Sequence, residues 1–416
     1  MHIHNLIGIG FGPSNLALAI ALQEQGHPAD ALYLERQEQF AWHPDMLLDN
    51  THMQISFLKD LAMLRNPTSR YTFLHYLHQQ QRLQDFINLK TFYPSRREFN
   101  DYLAWAARQF AAQCHYGEDV SAVLPVLENG QVTHLNVQSR DRHGRVQERL
   151  ARNIVVSVGG SPAIPDSFAA FKDDERVFHS SAYLTGLARL KDARRIAVIG
   201  AGQSAAEIFM DLHGKNFNVD LITRGRAIKP ADDSPFINEI FNADYTDYVF
   251  HQAPSERAAL LDEYHNTNYA VADTALIEQI FNVFYQQKVL GDQRHQFLRR
   301  HDVVAAHAEA GGIQLQLNDQ ESGTAFTTRY DAVILATGYQ RQKHHSLLAP
   351  LAPWLDGMAV DRHYQLIGNA QFQPRVFLQG GCEASHGLSD TLLSITAIRS
   401  QEIGAALHAT AAAAAL

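Results

Sequence analysis

The sequence predicts an α/β chain that carries two dinucleotide-binding units, on two observations that support each other. Gly8-Ile-Gly10-Phe-Gly12-Pro-Ser-Asn15 and Gly200-Ala-Gly202-Gln203-Ser204-Ala205 stand 192 residues apart. Each follows a short apolar run and opens a stretch with helical spacing. A backbone that must bring its N–H groups against a pyrophosphate, at the positive end of a helix, needs Gly where a side chain would block the approach. One such turn is weak evidence. Two in one chain, with different residues at the ends of their second strands, imply two different nucleotides held by two Rossmann-like units.

Taken in order, residues 3 to 9 read as a strand, 14 to 25 as a helix closed by Gly26, and 31 to 35 as a second strand ending in Glu35. The pattern recurs with a strand at 195 to 199, a helix at 203 to 214 and a strand at 218 to 223, ending at Thr223-Arg224. Residues 153 to 165 and 331 to 339 contain apolar runs that end at Gly and would carry the chain out of the first unit and back into it. The expected organisation is therefore a discontinuous first domain, 1–190 and 325–416, with a second domain, 191–324, inserted in it. Residues 230–290, rich in Asn, Asp and aromatics at helical spacing, read as a small helical insertion that binds substrate. The alanine-rich end, 405–416, fits a terminal helix or a tail and carries no chemistry.

Composition narrows the partners. A chain of 416 residues exceeds what one core usually serves, and a net charge of −9 argues against nucleic acid or an anionic membrane. The two cysteines, Cys114 and Cys382, form no Cys-x-x-Cys and indicate neither a disulfide framework nor a dithiol centre. The 22 histidines show no ligand spacing, so no metal is expected. No apolar run approaches the roughly 20 residues that span a bilayer, and no basic segment precedes residues 6 to 22 as a signal peptide requires. A cytoplasmic enzyme of small molecules is the expectation, and a homo-oligomer is left open.

Glu35 lies 27 residues after Gly8, near the spacing at which an acid accepts hydrogen bonds from an adenosine ribose. Such an acid suits FAD, whose ribose has no 2′-phosphate. The first turn departs from the usual pattern by placing Pro13 where a third Gly or Ala stands, while Gly12 and Asn15 keep it small and polar. In the second unit the matching place holds Thr223 and Arg224 and no carboxylate. An Arg there neutralises a 2′-phosphate, which favours NADPH over NADH; the alternative for Arg224 is a solvated loop cation.

A flavin beside NADPH admits several reactions. A disulfide reductase needs paired cysteines, which are absent. Baeyer–Villiger and sulfide-oxidising enzymes carry Phe-x-Gly-x-x-x-His-x-x-x-Phe/Tyr between the two turns, and only the half His179-Ser-Ser-Ala-Tyr183 survives, with Asp173 and Glu175 in the Phe and Gly places. The chain then shows Trp42-His43-Pro44, Met53-Gln-Ile-Ser-Phe-Leu-Lys59 and onward to Asn66-Pro67, and Phe99-Asn-Asp-Tyr-Leu103. Further on stand Asp233-Ser-Pro-Phe-Ile-Asn238, Asn266-Thr-Asn268-Tyr, Ala336-Thr-Gly-Tyr339 and His386-Gly-Leu-Ser-Asp-Thr-Leu-Leu-Ser394. In this order the segments span nearly the whole chain, and it resembles the microbial flavin-dependent N-hydroxylating monooxygenases of hydroxamate-siderophore biosynthesis, with L-ornithine the best-fitting substrate.

The resemblance implies that NADPH reduces FAD, that O₂ then forms a C4a-hydroperoxyflavin, and that its distal oxygen passes to the amine, so no side chain is the catalyst. It implies FAD contacts at Glu35, Trp42, His43 and Gln54, with Thr391, Leu392 and Leu393 closing over the cofactor. It implies NADPH contacts at Gln203, Ser204, Ala205, Arg224 and Asn268, and substrate contacts at Lys59, Asn238, Asn268 and Ser394. Lys59 sits among apolar residues, where a bound carboxylate would compensate its ammonium; its bland alternative is a snorkelling surface Lys. Asn238 and Asn268 read equally well as turn or cap residues. An alkyl amine with pKa near 10.4 is neutral in roughly one molecule per thousand near neutral pH, a cost of about 4 kcal/mol that a dry pocket offsets. Lysine, putrescine, cadaverine or histamine in place of ornithine, a flavin NADPH oxidase, and a redox-sensing module without turnover remain as alternatives.

Overall fold

The computed structural model describes residues 2–26 and 30–413. The first βαβ unit is present: strand Ile3–Ile9, helix Pro13–Glu24 and strand Ala31–Glu35. Pro13 occupies the first helical position, where its missing N–H loses nothing, which explains how the turn accommodates it. The helix is buried along Asn15 to Leu22, so it reads as apolar all round instead of amphipathic. It is enclosed because the C-terminal helix Thr396–Ala413 packs on it, with Ile403, Leu18 and Leu22 in one core. The end of the alanine-rich stretch, 414–416, lies outside the described residues.

The first sheet runs in the order Cys114–Tyr116, Ala31–Glu35, Ile3–Ile9, Val146–Val156, Gln131–Asp141, Glu118–Glu128. On its edge away from Ile3–Ile9, Val146–Val156 serves two partners: 146–151 closes an antiparallel hairpin with Gln131–Asp141, and 153–156 takes Arg375–Leu378 in parallel. Helices Phe73–Gln79, Leu83–Leu89 and Arg96–Arg108 build an aromatic layer of Phe73, Tyr76, Phe86, Phe99 and Tyr102 beside the first turn.

The second sheet is all parallel, in the order Gln296–Arg299, Asn218–Thr223, Arg195–Ile199, Ala332–Leu335, Val177–His179. Helices Gln203–Gly214 and Thr274–Leu290 cover one face through Ile208, Phe209, Leu212, Ile280 and Phe284. An antiparallel sheet, His301–Glu309, Gly312–Asp319 and Ala325–Tyr330, covers the other through Ile313, Leu315, Leu317 and Tyr330.

Two expectations change. Val177–His179 and Ala332–Leu335 belong to the second sheet, so the boundaries expected at 190 and 325 each cut off one of its strands. The chain crosses between the sheets at a short ribbon in which Ser161–Pro162 pairs with Tyr339–Gln340. The helical insertion is also shorter than 230–290, because Thr274–Leu290 is the crossover helix before Gln296–Arg299. What remains, Ile237–Phe241, Ala243–Phe250, Pro254–Glu263 and His265–Asn268, is pinched at its ends where Lys229–Pro230 pairs with Val271–Ala272. It packs against the Glu383–His386 turn, and Arg362 holds it there with Nε 2.5 Å from Asp247 Oδ1 and Nη2 3.0 Å from Glu402 Oε1.

Candidate active site

The two nucleotide turns follow from close approaches. At Gly8 a Cβ would fall 2.3 Å from the Tyr33 ring, and at Gly10, with φ +83°, 2.5 Å from the Ser157 carbonyl oxygen. Gly12 is different: a Cβ there meets nothing within 4 Å, and Gly12 caps its helix without a side-chain bond. The space above that helix end is thus free for a ligand, at the end that favours an anion. In the second turn Gly200, with φ +145°, stands against the Ala336 carbonyl oxygen at 2.3 Å from an added Cβ, and Gly202 caps the helix.

Several expected contacts turn inward. The Asn15 side chain is fully buried; its Nδ2 donates to Gly10 O at 2.7 Å and its Oδ1 accepts from Gln379 Nε2 at 3.0 Å. It shapes the turn instead of reaching a ligand. The Ala205 side chain is core, packed with Val198 and Ile208, which leaves only its backbone N–H for a phosphate. Gln203 bonds within the protein through both ends of its amide, to Asp273, and its Nε2 also donates to Glu207. Ser204 is half-buried beside it.

Glu35 ends the strand Ala31–Glu35, its Oε2 accepting Phe11 N–H at 2.7 Å and its Oε1 accepting Gln37 N–H at 2.9 Å. Each oxygen keeps a second lone pair for a ribose. Trp42 N–H donates to Asn100 Oδ1 at 2.9 Å, and the Trp42 ring meets Phe99 at 6.0 Å; His43 follows in the left-handed conformation, φ 48°. Arg224 is exposed and makes no ion pair among the described residues, whereas its neighbour Arg226 is held by Glu321 at 2.8 Å. The half-motif is structural: His179 Nε2 donates to Gly338 O at 2.9 Å and its Nδ1 accepts Ser181 N–H at 3.1 Å, and Tyr183 bonds Asp211.

For the substrate side, Lys59 is half-buried in a turn shaped by Asp60, whose carboxylate accepts the N–H groups of Ala62, Met63 and Phe73 at 2.7–2.8 Å. The Lys59 ammonium has no ion pair among the described residues, and burial lowers its pKa from the ordinary 10.5. Asn238 Nδ2 donates to Asp233 O at 2.8 Å, leaving its Oδ1 available. Its turn lies against Leu388–Thr391, whose segment continues through Leu392 and Leu393 to Ser394. Ser394 is 3% exposed and its Oγ has no partner, an orphan that a bound polar group would satisfy. Asn268 ends the short helix before Tyr269, whose OH donates to Glu383 Oε2 at 2.5 Å. No hydrogen bond or ion pair links Lys59 to Asn238, Asn268 or Ser394 among the described residues.

Sequence reasoning missed the groups that hold these parts together. Arg399, 1% exposed, bonds Asp390 Oδ1 at 2.9 Å and Ser14 Oγ at 3.0 Å, and so joins the segment before Ser394 to the start of the first helix. Gln379 joins Asn15 to Ser157, and Asp273 joins Gln203 to Gln54. The partners are far apart in sequence, and none has a local signal beyond being polar in an apolar stretch. The histidine reading also missed that His2, His4 and Asp30 come together at the surface, where the carboxylate takes a hydrogen bond from each ring. Cys114 and Cys382 are both free and buried, as a chain without a dithiol requires.

Two dinucleotide folds, each opening on a parallel βαβ unit with a glycine turn, define a two-nucleotide oxidoreductase. Residues 2–341 match the family described as L-lysine 6-monooxygenase/L-ornithine 5-monooxygenase, and the chain belongs to that family. It is 51% identical over 415 residues to an L-ornithine N(5)-monooxygenase of Pseudomonas aeruginosa, covering 98% of this chain and 94% of that one. The solved structure of an ornithine hydroxylase (PvdA) from the same species superposes with a TM-score of 0.95 at 50% identity, covering 98% and 99% of the two chains. An ornithine N-hydroxylase from Kutzneria sp. 744, solved with reduced FAD, NADP⁺ and L-ornithine, superposes with a TM-score of 0.94 at 35% identity, covering 99% and 100%.

Proposed function

We propose that the protein hydroxylates the side-chain amine of L-ornithine at N5, using FAD, NADPH and O₂, for the biosynthesis of a hydroxamate siderophore. The observation that carries the substrate class is Lys59, a half-buried ammonium with no carboxylate of its own. A buried cation without a partner is costly, and an α-carboxylate supplies the partner. Bound FAD supplies the activation of O₂ and NADPH the electrons.

The residues present fit these groups. The open space above Gly12 and the N–H groups at that helix end receive the FAD pyrophosphate, and Glu35 accepts its ribose hydroxyls. Trp42, His43, Gln54, Thr391, Leu392 and Leu393 would hold the rest of the cofactor. Gly200, Gly202 and the N–H groups of Gln203, Ser204 and Ala205 receive the NADPH pyrophosphate, and Arg224 its 2′-phosphate. The groups assigned to the distal amine, Asn238, Asn268 and Ser394, are neutral. With no carboxylate among them and Ser394 buried, the ammonium is disfavoured and the nucleophilic free amine gains. Ser394 Oγ and Asn238 Oδ1 then accept its N–H bonds and aim its lone pair. The same reading puts the enzyme in the cytoplasm and leaves a homo-oligomer open. No described helix is long and apolar enough to cross a membrane.

The test follows NADPH oxidation and O₂ uptake by the FAD-loaded protein with and without L-ornithine. Ornithine should accelerate both. Rates that no amine changes would leave an oxidase or a redox-sensing module and contradict the proposal.

A further inference from the structure

Asp273 is the N-cap of helix Thr274–Leu290, yet its side chain makes no capping bond to that helix. Asp at this position normally accepts an N–H of the first turn, which contributes about 1 kcal/mol. Here both oxygens are committed elsewhere: Oδ1 accepts Gln54 Nε2 at 3.1 Å and Oδ2 accepts Gln203 Nε2 at 2.9 Å. Its backbone N–H donates to Gln203 Oε1 at 2.9 Å. The carboxylate therefore ties a residue of the FAD side to the first residue of the NADPH-side helix, across 219 positions of sequence in one case and 70 in the other.

An ionised carboxylate only accepts, so the Gln54 edge that faces Asp273 must be its NH₂. That leaves Oε1 as the edge without a protein partner among the described residues. A free Gln side chain at an exposed position has two amide orientations of similar energy; one fixed acceptor selects between them.

We propose that Asp273 is a positioning residue: it holds the Gln54 amide with its carbonyl oxygen toward the flavin site, and sets that orientation only when the NADPH-side helix is docked. This rests on the cofactor reading above. The Gln54 carbonyl presented in this way accepts a hydrogen bond from a ring N–H of the reduced flavin or from the carboxamide of the nicotinamide, and a disordered amide admits water in its place. The expected consequence of losing Asp273 is reduced oxygen escaping as hydrogen peroxide, not a failure to bind either nucleotide turn.

Asp273→Ser separates this role from helix capping, because Ser caps as well as Asp but is too short to bridge Gln54 and Gln203. The variant should keep the thermal midpoint of the cofactor-free chain and bind FAD within about twofold of the parent. It should lose the shift of the flavin absorption band on adding NADP⁺, and the share of NADPH consumed as hydrogen peroxide should rise at least threefold. Gln54→Ala should show the same rise, and the double variant no further one, since both act through one amide. Additive effects of the two substitutions, or an Asp273→Ser protein as tightly coupled as the parent, would overturn the proposal. So would a lowered midpoint with an unchanged band shift, which would mark Asp273 as a fold contact only. A parent protein that forms no hydroxylamine at all would instead count against the proposed function, and the two failures are thereby distinguishable.

Discussion

Arg96 and Glu207 meet in a two-point ion pair, Nη1 and Nη2 each 2.8 Å from a carboxylate oxygen, which joins the start of helix Arg96–Arg108 to helix Gln203–Gly214. Their side chains are 13% and 4% exposed, and Arg96 also donates to Met46 O at 3.3 Å. Breaking one side of such a pair leaves the other charge buried alone, which costs about 3 kcal/mol. Glu207→Gln should lower the urea midpoint accordingly, and restoring neutrality with Arg96→Met in the same chain should recover part of the loss. Equal and additive losses would show that the two do not act as a pair.

Gly12 tests the FAD turn without disturbing the fold. Its φ of −76° suits any residue and an added Cβ meets no protein atom. Gly12→Ala should leave the unfolding midpoint of the cofactor-free chain unchanged or slightly raised, since Ala narrows the unfolded ensemble. The dissociation constant for FAD should rise at least tenfold, about 1.4 kcal/mol. Unaltered FAD affinity would mean that the open space is not where the pyrophosphate lies.

Lys59→Ala removes the proposed carboxylate anchor. A hydrogen bond to a charged group contributes about 1.5–3 kcal/mol, so the KM for L-ornithine should rise roughly tenfold to a hundredfold. NADPH oxidation without amine should be little changed, because no hydrogen bond or ion pair joins the Lys59 side chain to either glycine turn among the described residues. An unaltered KM would assign the ammonium to the surface.

His386 makes the segment before Ser394 sensitive to acid. It is fully buried, stacked on Tyr364 at 4.1 Å, and burial pushes its pKa down from 6.5 to about 4. The unfolded chain therefore binds the proton more readily than the folded one between those values. Its contribution is complete above pH 6.5 and is lost as pH falls toward 4, by about 3 kcal/mol. His295 and His344, also pushed down to about 4 by burial, add to the same slope. His386→Gln should flatten the fall in stability between pH 6.5 and 4.5 measured by urea unfolding, and an identical slope would place the titration elsewhere.

Local signals carried much of the fold. The strands at 3–9, 31–35, 195–199 and 218–223 and the helix at 203–214 stand where the apolar runs and glycine turns predict them, because each depends on neighbours in sequence. Strand partners are not encoded locally. Ala332–Leu335 is as apolar as 154–156, and nothing in either run says which sheet it joins. The insertion was overdrawn for a related reason, since Thr274–Leu290 has helical spacing whether it crosses over a sheet or stands apart. In the site, glycines and Glu35 were legible from spacing, and Lys59, Asn238, Asn268 and Ser394 only through resemblance. Arg399 and Asp273 were not legible, because a polar residue bonded to one 385 or 219 positions away looks like any solvated one.

The proposed reaction transfers an oxygen to the distal amine of a substrate that carries an α-carboxylate. The direct measurement is hydroxylamine formed per NADPH consumed, with FAD added, across L-ornithine, L-lysine, putrescine, cadaverine and histamine. Near one-to-one product from L-ornithine, with little from the other four, is the predicted result. Coupled product from putrescine with none from ornithine would contradict the role of Lys59 and the substrate with it.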